Sequence, residues 1–127
     1  MKILNPDSVV RPASNYAQAV VHGAAAERMV ISGQLGLKPD GSLAEGLEAQ
    51  MEQAWSNIFA ILEAGGFTRE QLVRATIYVT VPGQVATYRS VRDRMLAGHV
   101  CANTYIEISA LAAPEFLVEI EAEAVRE

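Results

Sequence analysis

Residues 72–81 read LVRATIYVTV, and this stretch decides the fold because it is the clearest β-strand in the chain. From Val73 onward every second residue is apolar, and polar or aromatic residues fill the positions between. Successive side chains of a strand point to opposite faces, so the alternation predicts a strand with one face on a core. Pro82-Gly83 follows and predicts the end of the strand.

Two segments with helical periodicity flank this strand. Residues 47–64 predict a first helix, since large apolar residues recur there at steps of three and four: Leu47, Met51, Trp55, Ile58, Phe59 and Leu62. Residues 84–97 predict a second helix with a buried side made by Val85, Tyr88, Val91, Met95 and Leu96. Its other side is predicted to be a solvated face with Arg89, Arg92, Asp93 and Arg94.

Four more strands complete the predicted order ββ-α-β-α-ββ. Two lie before the first helix, at 18–23 and 28–35, and two after the second helix, at 104–109 and 117–125. Residues 1–15 are predicted to form an irregular arm, and the strand at 104–109 is predicted to bury Ile106 and Ile108. This order predicts an α+β fold in which two helices pack on one face of a mixed sheet.

The sheet face away from the helices is predicted to be polar. By alternation it would carry Asn103, Tyr105 and Glu107 from one strand, Glu119, Glu121 and Glu123 from the last, and Tyr78 beside them. This mixture is too polar for a core and too aromatic for an ordinary solvent face. It therefore predicts a subunit interface with polar pockets.

Length and composition exclude several classes of protein. The chain has 127 residues, which predicts one domain over 1–127, and no apolar run approaches the roughly 20 residues of a membrane helix. A net charge of −5 without a basic block disfavours nucleic-acid partners. The opening MKILNPD lacks a secretory apolar region, and the single Cys101 forms no internal disulfide, so we expect a cytoplasmic protein. No zinc-type Cys/His pair or Gly-rich phosphate loop occurs, so no metal or cofactor is predicted.

Five stretches in order resemble the Rid family, also called the YjgF or L-PSP family. They are SNYAQAV (14–20), ISGQLGL (31–37), ILEAGGF (61–67), RATIYVTV (74–81) and VEIEAEAVR (118–126). The resemblance covers nearly the whole chain. It implies a chorismate mutase-like subunit that forms a homotrimer, with the sheets lining its centre and small-molecule sites in the clefts between subunits.

The resemblance also implies a chemistry, the hydrolysis of reactive enamines and imines to 2-keto acids and ammonia. Glu119 matches the family glutamate that positions or activates water, so it is the predicted catalytic residue. Tyr16 matches the pocket tyrosine. Ser32, Gly33 and Gln34 match the SGQ stretch that shapes the pocket.

Position 103 departs from the family pattern. The family arginine that clamps the substrate carboxylate has its place here at Asn103, between Ala102 and Thr104. Asparagine carries no charge, and losing a desolvated charge-assisted pair costs about 2–5 kcal/mol. Tyr105 would narrow the pocket or add a hydroxyl to it, and Arg28 or Arg74 are the strand arginines that could compensate. The chain is thus predicted to be a family member without the clamp, which disfavours standard 2-imino acid deamination.

Two functions remain open at this stage. The first is an enzyme that hydrolyses a small imine or enamine, with Asn103 orienting a polar group and Glu119 handling water. The second is a non-catalytic small-molecule-binding or regulatory trimer. Ribonuclease activity, attached to some relatives, is disfavoured by the acidic charge. Each residue also has a structural interpretation: Asn103 as a strand-entry residue bonded to backbone, Tyr16 as a packing anchor, Glu119 as an edge carboxylate and Cys101 as a buried thiol.

Overall fold

A computed structural model describes all 127 residues as six strands, two α-helices and one 3₁₀ turn. The strands are β1 (Lys2–Leu4), β2 (Ala19–Val21), β3 (Glu27–Leu35), β4 (Leu72–Val79), β5 (Ala102–Glu107) and β6 (Val118–Arg126). The helices are α1 (Leu47–Ala64) and α2 (Val85–Leu96), and the 3₁₀ turn is Arg69–Gln71. Neither helix combines the length and the apolarity that a membrane span requires.

The main sheet has four strands in the order β3-β6-β4-β5. Its pairs are antiparallel except β4 and β5, which run parallel and are joined by α2. The two helices pack on one face of this mixed sheet, which confirms the predicted α+β fold. That face holds the core, where the inward residues of β4 and β6 are at most 3% exposed: Ala75, Ile77, Val79, Val118, Ile120 and Ala122.

The prediction for the N-terminal residues was wrong in part. Lys2–Leu4 form a strand, and this strand pairs with Ala19–Val21 in a separate two-stranded sheet. The predicted single sheet is therefore two. A three-residue strand carries little periodicity, and its backbone groups find partners 15 to 19 residues away, which local patterns do not show.

The predicted phase of β5 was also wrong. Ile106 is 37% exposed, whereas Asn103 and Tyr105 share a face with the buried Ala75 and Ile77 of β4. Because β5 is an edge strand covered by α2, its inward positions lie at the boundary of the core and tolerate polar groups. Asn103, Tyr105 and Glu107 therefore lie on the helix side, while Glu119, Glu121 and Glu123 lie on the opposite, open face.

Arg92 contradicts the prediction of a solvated arginine face. It is only 1% exposed, whereas Val85, predicted to be buried, is 39% exposed. The spacing explains this, because Tyr88, Arg92 and Leu96 repeat at four-residue steps and form one inward stripe. The charge of Arg92 led to the prediction of an exposed side chain, whereas its position in the helical period buries it.

Candidate functional site

A cleft of about 240 Å³ lies between α2 and the start of β5. The residues that line it come from both elements and from the segment before β2: Ser14, Tyr16, Val85, Tyr88, Arg89, Arg92, Asn103, Thr104 and Tyr105. Three of the predicted binding residues, Tyr16, Asn103 and Tyr105, therefore lie together in one cleft. The sequence analysis missed the contributions of Tyr88 and Arg92.

Backbone contacts fix the segment that brings Tyr16 to this cleft. The Ala17 N–H donates to the carbonyl of Cys101 at 2.9 Å, and Ala17 makes an isolated parallel bridge with Ala102. Ala17 itself is buried. Tyr16 lies at the cleft because the next residue, Ala17, is hydrogen-bonded at the start of the strand that carries Asn103.

A chain of polar contacts runs through the wall of the cleft. The Tyr88 hydroxyl donates to Asn103 Oδ1 and lies 3.4 Å from Arg92 Nη1, which donates to it. Asn103 Nδ2 donates to Cys101 Sγ at 3.2 Å and lies 3.4 Å from the Cys101 carbonyl oxygen. Asn103 therefore lines the cleft and also contacts backbone two residues earlier. The ring of Tyr105 stacks on that of Tyr88, with centroids 5.0 Å apart.

The guanidinium of Arg92 has one anionic neighbour, Asp93. Nε donates to Asp93 Oδ1 at 3.0 Å. Nη2 forms an ion pair with the same oxygen at 2.9 Å, although the geometry of this contact does not make it a hydrogen bond. Asp93 is 41% exposed, so this partner sits at the rim while the arginine is buried. The ion pair therefore satisfies the guanidinium only in part.

Three titratable groups at the cleft, Tyr88, Cys101 and Tyr105, have a raised pKa and keep their protons at neutral pH. Burial raises the pKa of Tyr88 to about 12, against the opposing charge of Arg92. Burial raises the pKa of the Cys101 thiol to about 11, against the hydrogen bond from Asn103. Burial, with the bond to Glu107, also raises the pKa of Tyr105. Cys101 is thus the buried, inert thiol of the structural interpretation, and the cleft offers hydroxyl donors and no nucleophile.

The other predicted site residues form a second cluster on the open face. Ser32 and Gly33 lie in an irregularity of β3 between Ile31 and Gln34, where the pairing with β6 shifts. A Cβ on Gly33 would lie 2.2 Å from Glu119 Oε1, so the glycine permits the carboxylate to pack against the strand. Gln34 Nε2 donates to the Ser32 carbonyl at 3.1 Å. Glu119 and the SGQ stretch are therefore neighbours.

Within one chain the structure does not bring the two clusters together. The sheet separates Glu119 from Asn103 and Tyr16, since Glu119 is on the open face and the others are on the helix side. Neither of the suggested replacement arginines lies in the cleft. Arg28 pairs with Glu123 at 2.9 Å, and Arg74 lines a shallow depression with Glu121 and Glu123.

No group of three or more His, Cys, Asp and Glu side chains is placed to hold a metal ion.

The signal that could have found Arg92 was present in the sequence. Its position four residues after Tyr88 and four before Leu96 is typical of an inward helix stripe.

Comparison with known proteins identifies the family. The family described as Endoribonuclease L-PSP matches residues 7–126. The chain belongs to this family, the Rid (YjgF/L-PSP) family. A 2-iminobutanoate/2-iminopropanoate deaminase from Salmonella typhimurium is 33% identical over an alignment of 115 residues that covers 87% of this chain and 87% of the relative.

Two further relatives show the extent of the similarity. A RutC family protein from Aquifex aeolicus is 45% identical over 71 residues, so the match spans about half of that relative, 54%. The crystal structure of YyfB, a Rid family protein from Yersinia pestis, has a TM-score of 0.87 at 30% identity. That match covers 98% of this chain and 97% of the other, so the two proteins share nearly the whole fold.

Proposed function

We propose that this Rid-family protein hydrolyses small compounds with a C=N bond, in clefts between the subunits of a homotrimer. The observation that carries the proposal is the convergence of Tyr16, Asn103 and Tyr105 on one cleft. The name of the Salmonella relative, a 2-iminobutanoate/2-iminopropanoate deaminase, supports this class of reaction. The cleft size suits a small metabolite, since ligand pockets of larger molecules reach roughly 300–1,000 Å³.

The homotrimer would join the two clusters that one chain keeps apart. If the open face of one subunit packs against the β5 edge of the next, Glu119 of one subunit can reach the cleft of another. Exposed apolar side chains on that face support an interface, among them Val30 at 68% and Ile106 at 37%. The site is incomplete without the second subunit, because no carboxylate from β6 enters the cleft of its own chain.

The proposed reaction adds water across the C=N bond. A water oriented by the Glu119 carboxylate attacks the imine carbon, and its proton passes to Glu119. Protonation of nitrogen then lets the carbinolamine expel ammonia and form the carbonyl, so the imine and one water give one ketone and one ammonia. The hydroxyls of Tyr16 and Tyr105 and the Asn103 amide would hold the polar groups of the substrate.

Ammonia release from freshly generated imines tests this proposal. We expect the wild-type protein to accelerate release and Glu119→Gln to lower the rate by about 100-fold or more, as for removal of an acid–base group. Glu123→Gln, on the same strand and face, is the matched control and should stay within about twofold. No turnover on a broad panel of imines, or equal rates for wild type and Glu119→Gln, would reject an enzymatic role for Glu119.

Light scattering tests the assembly. A mass three times that of one chain is expected, and Val30→Glu should reduce it by placing a charge in the interface. Val10→Glu, on a residue 86% exposed in the N-terminal segment, is the control. A wild-type protein that remains monomeric would contradict the trimer.

A second candidate is a non-catalytic trimer that binds a small molecule as a sensor or a regulatory subunit. It is favoured by the protonated state of Tyr88, Cys101 and Tyr105, because the cleft of one chain then contains no base. Native mass spectrometry distinguishes the two functions. A retained metabolite without product formation would support binding alone.

A further inference from the structure

Glu107 is a charged residue beside the cleft for which the proposed function has no role. Its carboxylate lies outside the cleft, where Oε2 accepts from the Tyr105 hydroxyl at 2.6 Å and from the Gln84 N–H at 3.1 Å. We call these two hydrogen bonds the Glu107 bridge. We infer that the bridge holds the Tyr105 ring across one end of the cleft and thereby limits the length of the side chain that a substrate can carry. This inference rests on the proposed function and narrows its substrate class.

The contacts between α2 and β5 place Tyr105 at one end of the cleft. Because α2 joins two parallel strands, it runs antiparallel to β5. The Tyr88 hydroxyl accordingly meets Asn103, and one helical turn earlier Gln84 meets Glu107. Asn103 lies near the start of the strand, and Tyr105 follows two residues further along the same face. A substrate whose polar groups bind at Asn103 therefore directs one of its substituents toward the Tyr105 ring.

Two contacts fix the position of the Tyr105 ring. Its face stacks on Tyr88, with centroids 5.0 Å apart and an angle of 23° between the planes. Tyr88 is 3% exposed, so the core holds this partner in place. The hydroxyl proton of Tyr105 is donated to Glu107, so the residue presents its ring and an acceptor oxygen to the cleft. Tyr105 itself is half-buried at the edge strand, and without the second contact only the stack would hold it.

The charge of Glu107 strengthens the bridge. Donation from the Tyr105 hydroxyl, and then from the backbone N–H groups of Gln84 and Gly83, lowers the pKa of this carboxyl, so it is ionised at neutral pH. Hydrogen bonds to an ionised acceptor are shorter and stronger than neutral ones. One carboxylate thus ties a strand side chain to the backbone at the start of α2, which forms the opposite wall. The bridge sets how far apart the two walls lie at this end.

A substrate with a long side chain has to displace the Tyr105 ring. The cleft has a volume of about 240 Å³, and the ring is part of its wall. Displacement breaks the hydrogen bond to Glu107 and the stack on Tyr88, and each of these contacts corresponds to about a fivefold change in an equilibrium. The closed arrangement therefore favours short side chains. Removal of the bridge lowers the cost of the open arrangement and leaves the stack in place.

Binding of two ligands that differ only in chain length tests the inference on the full-length protein. We choose 2-oxobutanoate and 2-oxooctanoate, measured by calorimetry. Wild type should prefer the shorter ligand by about tenfold or more, and Glu107→Ala should reduce this preference by about fivefold. Glu63→Ala removes an equal charge from an exposed position on α1 and should retain the wild-type preference.

Variants of Tyr105 show whether Glu107 acts through this ring. Tyr105→Phe keeps the stack and loses the hydroxyl, so it should reproduce the effect of Glu107→Ala. Tyr105→Ala should remove the preference, and addition of Glu107→Ala to it should change nothing further. Equal affinity of wild type for the two ligands, an unchanged preference in Glu107→Ala, an equal loss in Glu63→Ala, or a further effect in the double variant would overturn the inference.

A second measurement needs no ligand and decides the inference even if neither acid binds. In the wild-type protein, nuclear Overhauser effects should connect the ring protons of Tyr88 and Tyr105. In Glu107→Ala these signals should lose most of their intensity, while the remaining spectrum shows that the variant is folded. Signals of equal intensity in the two proteins would mean that Glu107 does not position the ring.

The outcomes separate this inference from the proposed function. A protein that releases no ammonia but selects ligands by chain length through Glu107 supports the inference and rejects catalysis. A protein that releases ammonia from short and long imines in the same ratio in wild type and Glu107→Ala keeps the catalytic proposal and rejects the Glu107 bridge as the element that limits chain length.

Discussion

The two faces of the main sheet carry the same types of side chain in opposite surroundings. On the helix side, the buried Arg92 and Tyr88 and the half-buried Asn103 form a chain of contacts. On the open face, Arg28 bonds to Glu123 at 2.9 Å and Tyr78 to Glu121 at 2.8 Å, close to solvent. Exposed pairs contribute about 0–1 kcal/mol, whereas buried polar groups without partners cost several times more. Removing a polar contact should therefore change the free energy of unfolding less on the open face than on the helix side.

The largest contrast is expected between two glycines. A Cβ on Gly36 would meet the backbone of α1, 2.5 Å from Gln50 Cα, whereas a Cβ on Gly33 meets the flexible tip of Glu119. Gly36→Ala should lower the free energy of unfolding by about 3 kcal/mol and Gly33→Ala by less than about 1 kcal/mol. Urea unfolding measures both. Equal losses of stability would contradict the expectation that the Glu119 side chain moves aside for the Cβ at position 33. Gly33→Ala should nevertheless lower imine hydrolysis, because it displaces the Glu119 carboxylate.

Asn103→Arg tests the crowding of charge on the helix side. The resemblance to the family predicts that this change raises 2-imino acid hydrolysis if the rest of the pocket is intact. With Arg92 still present, we expect it to cost on the order of 2 kcal/mol of stability through repulsion. The double variant Asn103→Arg/Arg92→Asn should recover most of this loss. A single variant as stable as wild type in urea would show that the two positions do not interact.

A matched pair of tyrosines sharpens the comparison further. Tyr88→Phe leaves Asn103 Oδ1 and Arg92 Nη1 without the hydroxyl between them, at a cost of about 1–3 kcal/mol. Tyr78→Phe removes one contact to Glu121 on the open face and should cost less than about 0.5 kcal/mol. Thermal and urea unfolding give both values. Similar losses at the two positions would mean that the faces do not differ in burial energetics.

The smallest effect concerns pH. The Cys101 pKa is raised from 9.0 to about 11, so the folded state holds the proton more tightly than the unfolded state. Its contribution is fully present below pH 9 and is lost as pH rises toward 11, by about 1 kcal/mol at pH 10. Cys101→Ala should flatten this part of the decline and leave a decline above pH 10 due to Tyr88. Parallel curves for wild type and Cys101→Ala would contradict burial as the cause.

Much of the fold was predictable because its periodic segments are long. The first helix was predicted over 47–64 and is found at Leu47–Ala64, since its apolar stripe runs its full length. The alternation of the last strand also predicted correctly that Glu119, Glu121 and Glu123 lie on the face away from the helices. In contrast, the phase of β5 depends on which face α2 covers. That is a long-range property. The apolar character of Ile106 therefore led to the wrong prediction of which face of β5 is buried.

The candidate site was predictable only as two separate sets of residues. The resemblance to the family selected Tyr16, Asn103 and Tyr105, which meet, and Glu119 with the SGQ stretch, which also meet. Arg92 was missed because its charge was given more weight than its helical spacing. Side-chain charge predicts exposure on average, but at Arg92 the inward stripe of α2 buries the charge.

The parallel crossover from β4 through α2 to β5 has a consequence for comparing relatives. It places position 92 of the helix and position 103 of the strand on facing walls, so a positive charge can enter the same space from either wall. A sequence alignment treats these as two unrelated columns, although the fold joins them through the Tyr88 hydroxyl. Substitutions at the two positions should therefore be compared together, as changes to one cleft.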